Sequence, residues 1–188
     1  KGLEEVQKET REGLIAGIAS FEKAIEADEQ FAHPYAFMAI SYYFLDLFMV
    51  DKSHVEDINT FADKAILLDP DLDESLIGKA LYYMQTKQHE LAIQFFQKVL
   101  DRRPGLGWVH NLLSTIYSLY LLDTEQYLRH TMHGIQYAVA GQDSGTTSMA
   151  FLHLGNALVL NGFLAEAEPY LEKSLSYNPD NLYSGTLL

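Results

Sequence analysis

Cysteine is missing altogether from the 188 residues. That excludes disulfides, thiolate metal centres and cysteine nucleophiles, and it fits a reducing cytosol and an extracytoplasmic compartment equally. Basic residues are scarce, with 13 Lys and Arg against 26 Asp and Glu, for a formal charge of −13. Such a surface repels phosphate backbones, so nucleic acid is not expected as a partner. Long apolar runs are lacking too. The most membrane-like stretch, residues 35–50, is too short to span a bilayer and carries Asp46, so it reads as a buried helix and no membrane insertion is expected. No leader-like segment is visible, and the first residue is Lys1, so the chain reads as a piece excised from a larger protein. What is present is 48% apolar content, enough for the core of a single domain over residues 1–188.

The segment Asp73–Leu106 sets the period. Leu76, Ala80 and Tyr83 fall three and four apart, and Ala92, Phe96 and Val99 do the same, so the spacing predicts two helices with one apolar stripe each. Small Ala80 and Ala92 let the two backbones approach, while Tyr83 and Phe96 fill the space beside them. Pro104 has no N–H and turns Arg103 out of the helical region, so the second helix stops there. Such a pair cannot bury both faces alone and needs neighbours on each side.

Those neighbours are written in the same register. Tyr35, Ala39 and Tyr42 precede Leu76, Ala80 and Tyr83 by 41 residues, whereas Ile58, Ala62, Ala65 and Pro70 precede Ala92, Phe96, Val99 and Pro104 by 34. Seven residues are therefore extra between the two helices, which predicts a first helix running through FLDLFMV, a lengthened connection near Asp51–His54, and Ser53 as a cap. Ser114 and Tyr117 stand 34 residues beyond Ala80 and Tyr83; Gly155, Ala167, Leu171 and Pro179 stand 75 beyond their counterparts. Thr10 is read as the cap of a helix through GLIAGIASFEKAIEAD whose partner is the segment near Gly2, and Thr124 as the cap of a helix through TEQYLRHTMHGIQYAVA. Ala140–Thr147 reads as a polar turn, and Leu182–Leu188 as the start of another helix.

A 34-residue helix–turn–helix unit of this kind resembles the tetratricopeptide repeat. The likeness rests on L-x3-A-x2-Y followed by A-x3-F-x2-V-x4-P at 76–104, and on F-x2-LG-x2-L followed by A-x3-L-x7-P at 151–179. Glu29 departs from it where a proline is usual. The resemblance implies an all-α fold, a right-handed solenoid of antiparallel helix pairs, divided into a partial repeat 1–31, repeats 32–72, 73–106, 107–147 and 148–181, and a further helix from 182. The opening segment, residues 1–45, also looks like the repeat tails of bacterial winged-helix regulators and cyclase-type signalling proteins, which implies service to a larger signalling protein.

In this family the first helices of successive repeats line a concave groove. The corresponding offsets are Phe37, Ile40, Tyr43 and Phe44; Glu74, Ile77, Leu81 and Met84; Trp108, Asn111, Thr115 and Leu119; and Met149, Leu152 and Asn156, with His153 beside them. The resemblance implies that these residues bind an apolar peptide or helix, with the two asparagines pairing to its backbone. The family's Lys, Arg and Asn clamp for a C-terminal carboxylate is not matched, because Ala36, Ile40, Ile77 and Leu81 occupy its offsets. Trp108 reads either as a binding anchor or as a staple on the preceding repeat.

Signals for catalysis are weak. His89-Glu90 lacks the second histidine of a zinc-protease helix, since residue 93 is Ile. His130 and His133 share a helix face and read as a solvated pair. Ser144 in GQDSG has no strand before it. Asp69, Asp71, Asp73 and Glu74 lack the spacing of a calcium loop. The expectation is therefore a cytoplasmic, non-catalytic scaffold with no cofactor and no metal, whose partner is a protein or peptide. Self-association through end helices and a small-molecule sensor are the alternatives.

Overall fold

The computed structural model describes residues 2–6, 10–49, 51–141 and 144–179. Among them there are ten α-helices, one π-helical turn and no strand. The backbone gathers into two compact units, residues 1–101 and 102–188.

The first unit holds α1 (Gly2–Val6), α2 (Arg11–Ala27), α3 (Ala32–Leu47), α4 (Val55–Leu68), α5 (Asp73–Gln85) and most of α6 (His89–Arg102). Thr10 caps α2 as expected, its Oγ1 accepting from Gly13 N at 3.0 Å. α1 is the expected partner of α2, and the two touch so closely that a Cβ on Gly17 would lie 2.5 Å from Val6. Leu14, Ile18 and Phe21 of α2 meet Met38 and Leu45 of α3 in a common core.

α3 and α4 are antiparallel, with Tyr42 stacked on Phe61 at 5.7 Å and Tyr35 6.4 Å from the same ring. α3 and α5 are parallel, since Ala39 meets Gly78 and Tyr43 meets Met84 in ascending order. Gly78 sets the spacing: a Cβ there would stand 3.0 Å from the Ala39 methyl and 3.5 Å from that of Ala62. Ala80 and Ala92, expected at the closest approach of α5 and α6, are both fully buried. The α6 helix ends at Arg102, two residues short of Pro104.

Two local expectations are corrected. The first helix of the stretched repeat ends at Leu47 and does not run through Phe48, Met49 and Val50; Val50 itself lies outside the described residues. Ser53 does not cap α4, whose cap position is His54. The backbone N–H of His54 instead donates to Asp46 Oδ2 at 3.2 Å, and Gln85 Nε2 donates to the same oxygen at 2.6 Å. Asp46 is fully buried. The extra residues are thus folded back onto a carboxylate at the end of α3, because a buried acid needs donors and the loop backbone supplies one.

The second unit holds α7 (Gly107–Ile116), the π turn Tyr117–Leu121, α8 (Thr124–Gly141), α9 (Ser144–Leu160) and α10 (Leu164–Tyr177). α7 and α8 are antiparallel, joined by the hydroxyls of Ser114 and Thr131 at 3.1 Å. α9 and α10 are antiparallel, with Ser148 paired to Ser174 at 3.0 Å and Gly155 against Leu171. α7 and α9 are parallel, because Asn111 reaches Thr146 and Thr115 reaches His153.

Asp123, not Thr124, caps α8: its Oδ1 accepts from Gln126 N at 3.0 Å. The expected polar turn Ala140–Thr147 is also shorter than its composition suggests, since α8 runs to Gly141 and α9 begins at Ser144. At the start of α9 the exposed Ser144 Oγ donates to the Tyr177 carbonyl at 2.6 Å, and the buried Ser148 finds its partner in α10, its Oγ donating to the Ser174 carbonyl at 2.9 Å. The helix expected at Leu182–Leu188 lies outside the described residues.

Candidate functional site

Charge is distributed unevenly along the second unit. Residues 107–122 and 144–165, which contain α7 and α9, include no Asp, Glu, Lys or Arg in a chain of net charge −13. On α7, Gly107, Val109, His110, Asn111, Leu113, Ser114 and Ile116 are buried. The complementary stripe, Trp108, Leu112 and Thr115, is half-buried, and Leu119 in the π turn is exposed. These four recur at intervals of four, three and four, the repeat of a single helix face.

α9 offers a matching stripe. Met149 is 37% and Leu160 68% exposed, and Asn156 between them is half-buried. Leu152, expected on the same face, is buried. The two stripes are neighbours, since Thr115 Oγ1 lies 3.4 Å from His153 Nε2. His153 is buried, and that burial pushes its imidazole down to about 4. It is therefore neutral near pH 7, and the face as a whole is uncharged.

The expected asparagines have partners inside the chain. Asn111 Nδ2 donates to the Thr146 carbonyl at 2.9 Å, while its Oδ1 has no hydrogen-bond partner and is pressed against Gly134, where a Cβ would come within 2.5 Å of it. Asn156 Nδ2 lies 3.4 Å from the Tyr127 hydroxyl, which itself donates to the His153 carbonyl. Asn111 thus locks α7 to α9, and Asn156 keeps accessible surface.

In the first unit the expected positions are mostly packed. Ile40, Tyr43, Ile77, Leu81 and Met84 are buried, the Tyr43 hydroxyl pointing at Met84 Sδ at 3.6 Å. Phe37 stacks on Phe21 at 5.7 Å, and Phe44 lies edge-on to Tyr43 at 5.4 Å. Glu74 is half-buried in the first turn of α5. Close helix packing around Gly78 draws these side chains inward, which spacing along one helix does not register. Conversely, Leu112 and Leu160 join the exposed stripes without having been singled out by sequence; the missing charge of their helices was the available signal.

Histidines form a second cluster. His110 Nε2 is 3.0 Å from the Pro104 carbonyl, which can only accept, so Nε2 carries the hydrogen and Nδ1 holds a lone pair. His130 Nδ1, 2.9 Å from that lone pair, is then the donor. Tyr117 stacks on His130 at 5.5 Å, and Tyr137 stacks on both His110 and His133. Burial pushes His110 down, and it takes His130 to about 4 with the help of the neighbouring histidines. The expectation of a solvated His130–His133 pair is corrected: His130 is buried in an aromatic stack, because α7 brings His110 and Tyr117 against it. Among the described residues no group of three or more His, Asp or Glu side chains is placed to hold a metal ion. Nor is any described helix long and apolar enough to cross a membrane.

Antiparallel helix pairs stacked with their first helices parallel define an all-α helical-repeat protein of tetratricopeptide type. The tetratricopeptide repeat model matches residues 73–105 and 150–181, about a third of the chain. With this fold, those matches show that the chain carries tetratricopeptide repeats at these two places. The crystal structure of MamA is similar to it with a TM-score of 0.61 and 16% identity, covering 90% of this chain and 91% of that one. A second MamA crystal structure gives a TM-score of 0.59 and 15% identity, covering 90% and 85%. No curated protein sequence matches the chain.

Proposed function

We propose that the protein is a non-catalytic interaction scaffold that takes an uncharged apolar segment of a partner protein against the α7–α9 face. One observation carries the reading: in a strongly acidic chain, the two adjacent helices that expose Trp108, Leu112, Thr115, Met149 and Asn156 have no charge at all. A charged ligand segment buried there would lose its hydration and find no counter-ion, whereas leucine or aromatic side chains would gain by leaving water. Thr115, Asn156 and the Trp108 indole supply the few polar groups that orient such a segment. In the first unit the half-buried Phe37, Phe44 and Glu74 are the positions of the expected groove that retain surface. Service to a larger signalling protein in the cytoplasm, with residues 1–188 acting as one repeat domain, belongs to the same proposal and rests on the resemblance of the opening segment.

The test is a titration with a capped, uncharged leucine–glutamine helical peptide, read through Trp108, the only tryptophan in the chain. A saturable change in emission, insensitive to salt and weakened at least tenfold by Leu112→Asp with Met149→Asp, is the expected result. Unchanged affinity in that double variant overturns the proposal.

A further inference from the structure

The turns that follow α5, α7 and α9 are built alike. Each closes through one residue of left-handed backbone: Lys87 at φ 61°, Leu122 at φ 53° and Gly162 at φ 82°. Glycine adopts that conformation without strain, whereas Lys87 and Leu122 both hold it at a cost, and Leu122 alone adds an apolar side chain that is 78% exposed. It follows a π turn, Tyr117–Leu121, in which no residue is buried. Tyr120 is 50% exposed.

The neighbouring turn repeats the pattern. Leu160, Phe163 and Leu164 are 68%, 53% and 64% exposed. α7 and α9 are parallel, and Thr115 meets His153 about one and a half to two turns before the π turn ends at Leu121 and α9 ends at Leu160. Both turns therefore lie at the same end of the second unit, and their apolar side chains form one edge there. This edge adjoins the Trp108–Met149 face at Leu119 and Leu160, and Tyr120, Leu122, Phe163 and Leu164 lie beyond that border.

Its surroundings are acidic. Asp123, Glu125, Glu166 and Glu168 stand in and just after the two turns, against Arg129 alone, which is paired with Glu125 at 2.8 Å. A net charge of this sign disfavours an anionic membrane, and it disfavours a second copy docked edge to edge, which would bring acid against acid. We propose that this edge is a docking site for a basic amphipathic segment of a partner protein, its apolar side chains set on Tyr120, Leu122, Leu160, Phe163 and Leu164 and its Lys or Arg residues over the flanking acids. Apolar burial provides the attraction, and the charges provide selection of the partner. The inference goes beyond the face proposed above and stands without it.

The experiment uses the whole chain and two labelled helical peptides, one with a leucine face flanked by lysines and one with the same face flanked by glutamates, in fluorescence anisotropy. The lysine peptide is expected to bind at least tenfold tighter than the glutamate peptide, to weaken severalfold between low and high salt, and to leave Trp108 emission unchanged. Leu122→Gly, which suits the backbone better than the native leucine, is expected to weaken it about threefold, and Leu122→Gly with Phe163→Ser and Leu164→Ser at least tenfold, with helical circular dichroism retained. Equal affinity for the two peptides overturns the proposal, as does unchanged binding in the folded Leu122→Gly variant. Self-association that depends on the same three residues, seen by sedimentation, overturns it in favour of a second copy; equal binding to phosphatidylcholine vesicles overturns it in favour of a lipid surface.

Discussion

Lowering the pH should unfold this protein through two buried imidazoles. Burial pushes His130 and His153 from 6.5 down to about 4. The native state therefore refuses protons that the unfolded chain accepts. Their contribution to stability is complete above pH 6.5, falls as the pH drops below it, and is fully lost below about 4. At pH 5 each histidine costs the folded state about 2 kcal/mol, because every tenfold rise in proton concentration below pH 6.5 adds about 1.4 kcal/mol. For a chain of this size that is on the order of 4–8 °C in Tm per histidine. The geometry gives the same sign for His130, whose Nδ1 hydrogen is already committed to His110 and whose second nitrogen would gain a proton among His110, His133 and Arg129. Other groups titrate in this window, and a chain of charge −13 loses self-repulsion as it is acidified, so the diagnostic quantity is a difference between proteins. Urea unfolding at pH 7.5 and pH 5.0, followed by circular dichroism, should show the wild type losing about 2 kcal/mol more than His130→Gln over that interval. Parallel pH dependences for wild type and variant would refute the reasoning, and so would a wild type that loses less than the variant.

Two further outcomes follow from packing. Gly78→Val should destabilise the chain by about 2 kcal/mol in denaturant titration, because the added carbons press on Ala39 and Ala62, which have no rotamer to change. Tyr127→Phe should cost about 1 kcal/mol in the same assay, since it removes the buried hydroxyl that donates to the His153 carbonyl inside the second unit. The phenol it removes has its own ionisation pushed up to about 12 by burial, so this loss should not vary with pH between 6 and 9.

The periodicity of small and large apolar residues was enough to read the helix pairs, because each pair is held by contacts a fixed number of residues apart. The buried stripes that carry Ala80 and Ala92, the stop before Pro104 and the Thr10 cap are all local or near-local facts. The lost charge of residues 107–122 and 144–165 was likewise open to view in the sequence. Other features depend on residues brought together from a distance. Leu81 sits at the same helix offset as Thr115 and Asn156, which keep surface, yet it is buried, and nothing within α5 distinguishes it. His130 looks solvated from its own helix and is buried because His110 and Tyr117 arrive from another. Asn111 was legible as an amide but not as one already bonded to Thr146.

By itself, then, the sequence determined the repeat, the helical class and the absence of charge on two first helices, since a period and a composition are one-dimensional quantities. Only the tertiary structure decided which side chains on those helices keep surface, which imidazoles lose their water, and that an exposed leucine closes a turn where its neighbour uses glycine. Burial is a property of the neighbours a side chain acquires, and those neighbours lie tens of residues away along the chain.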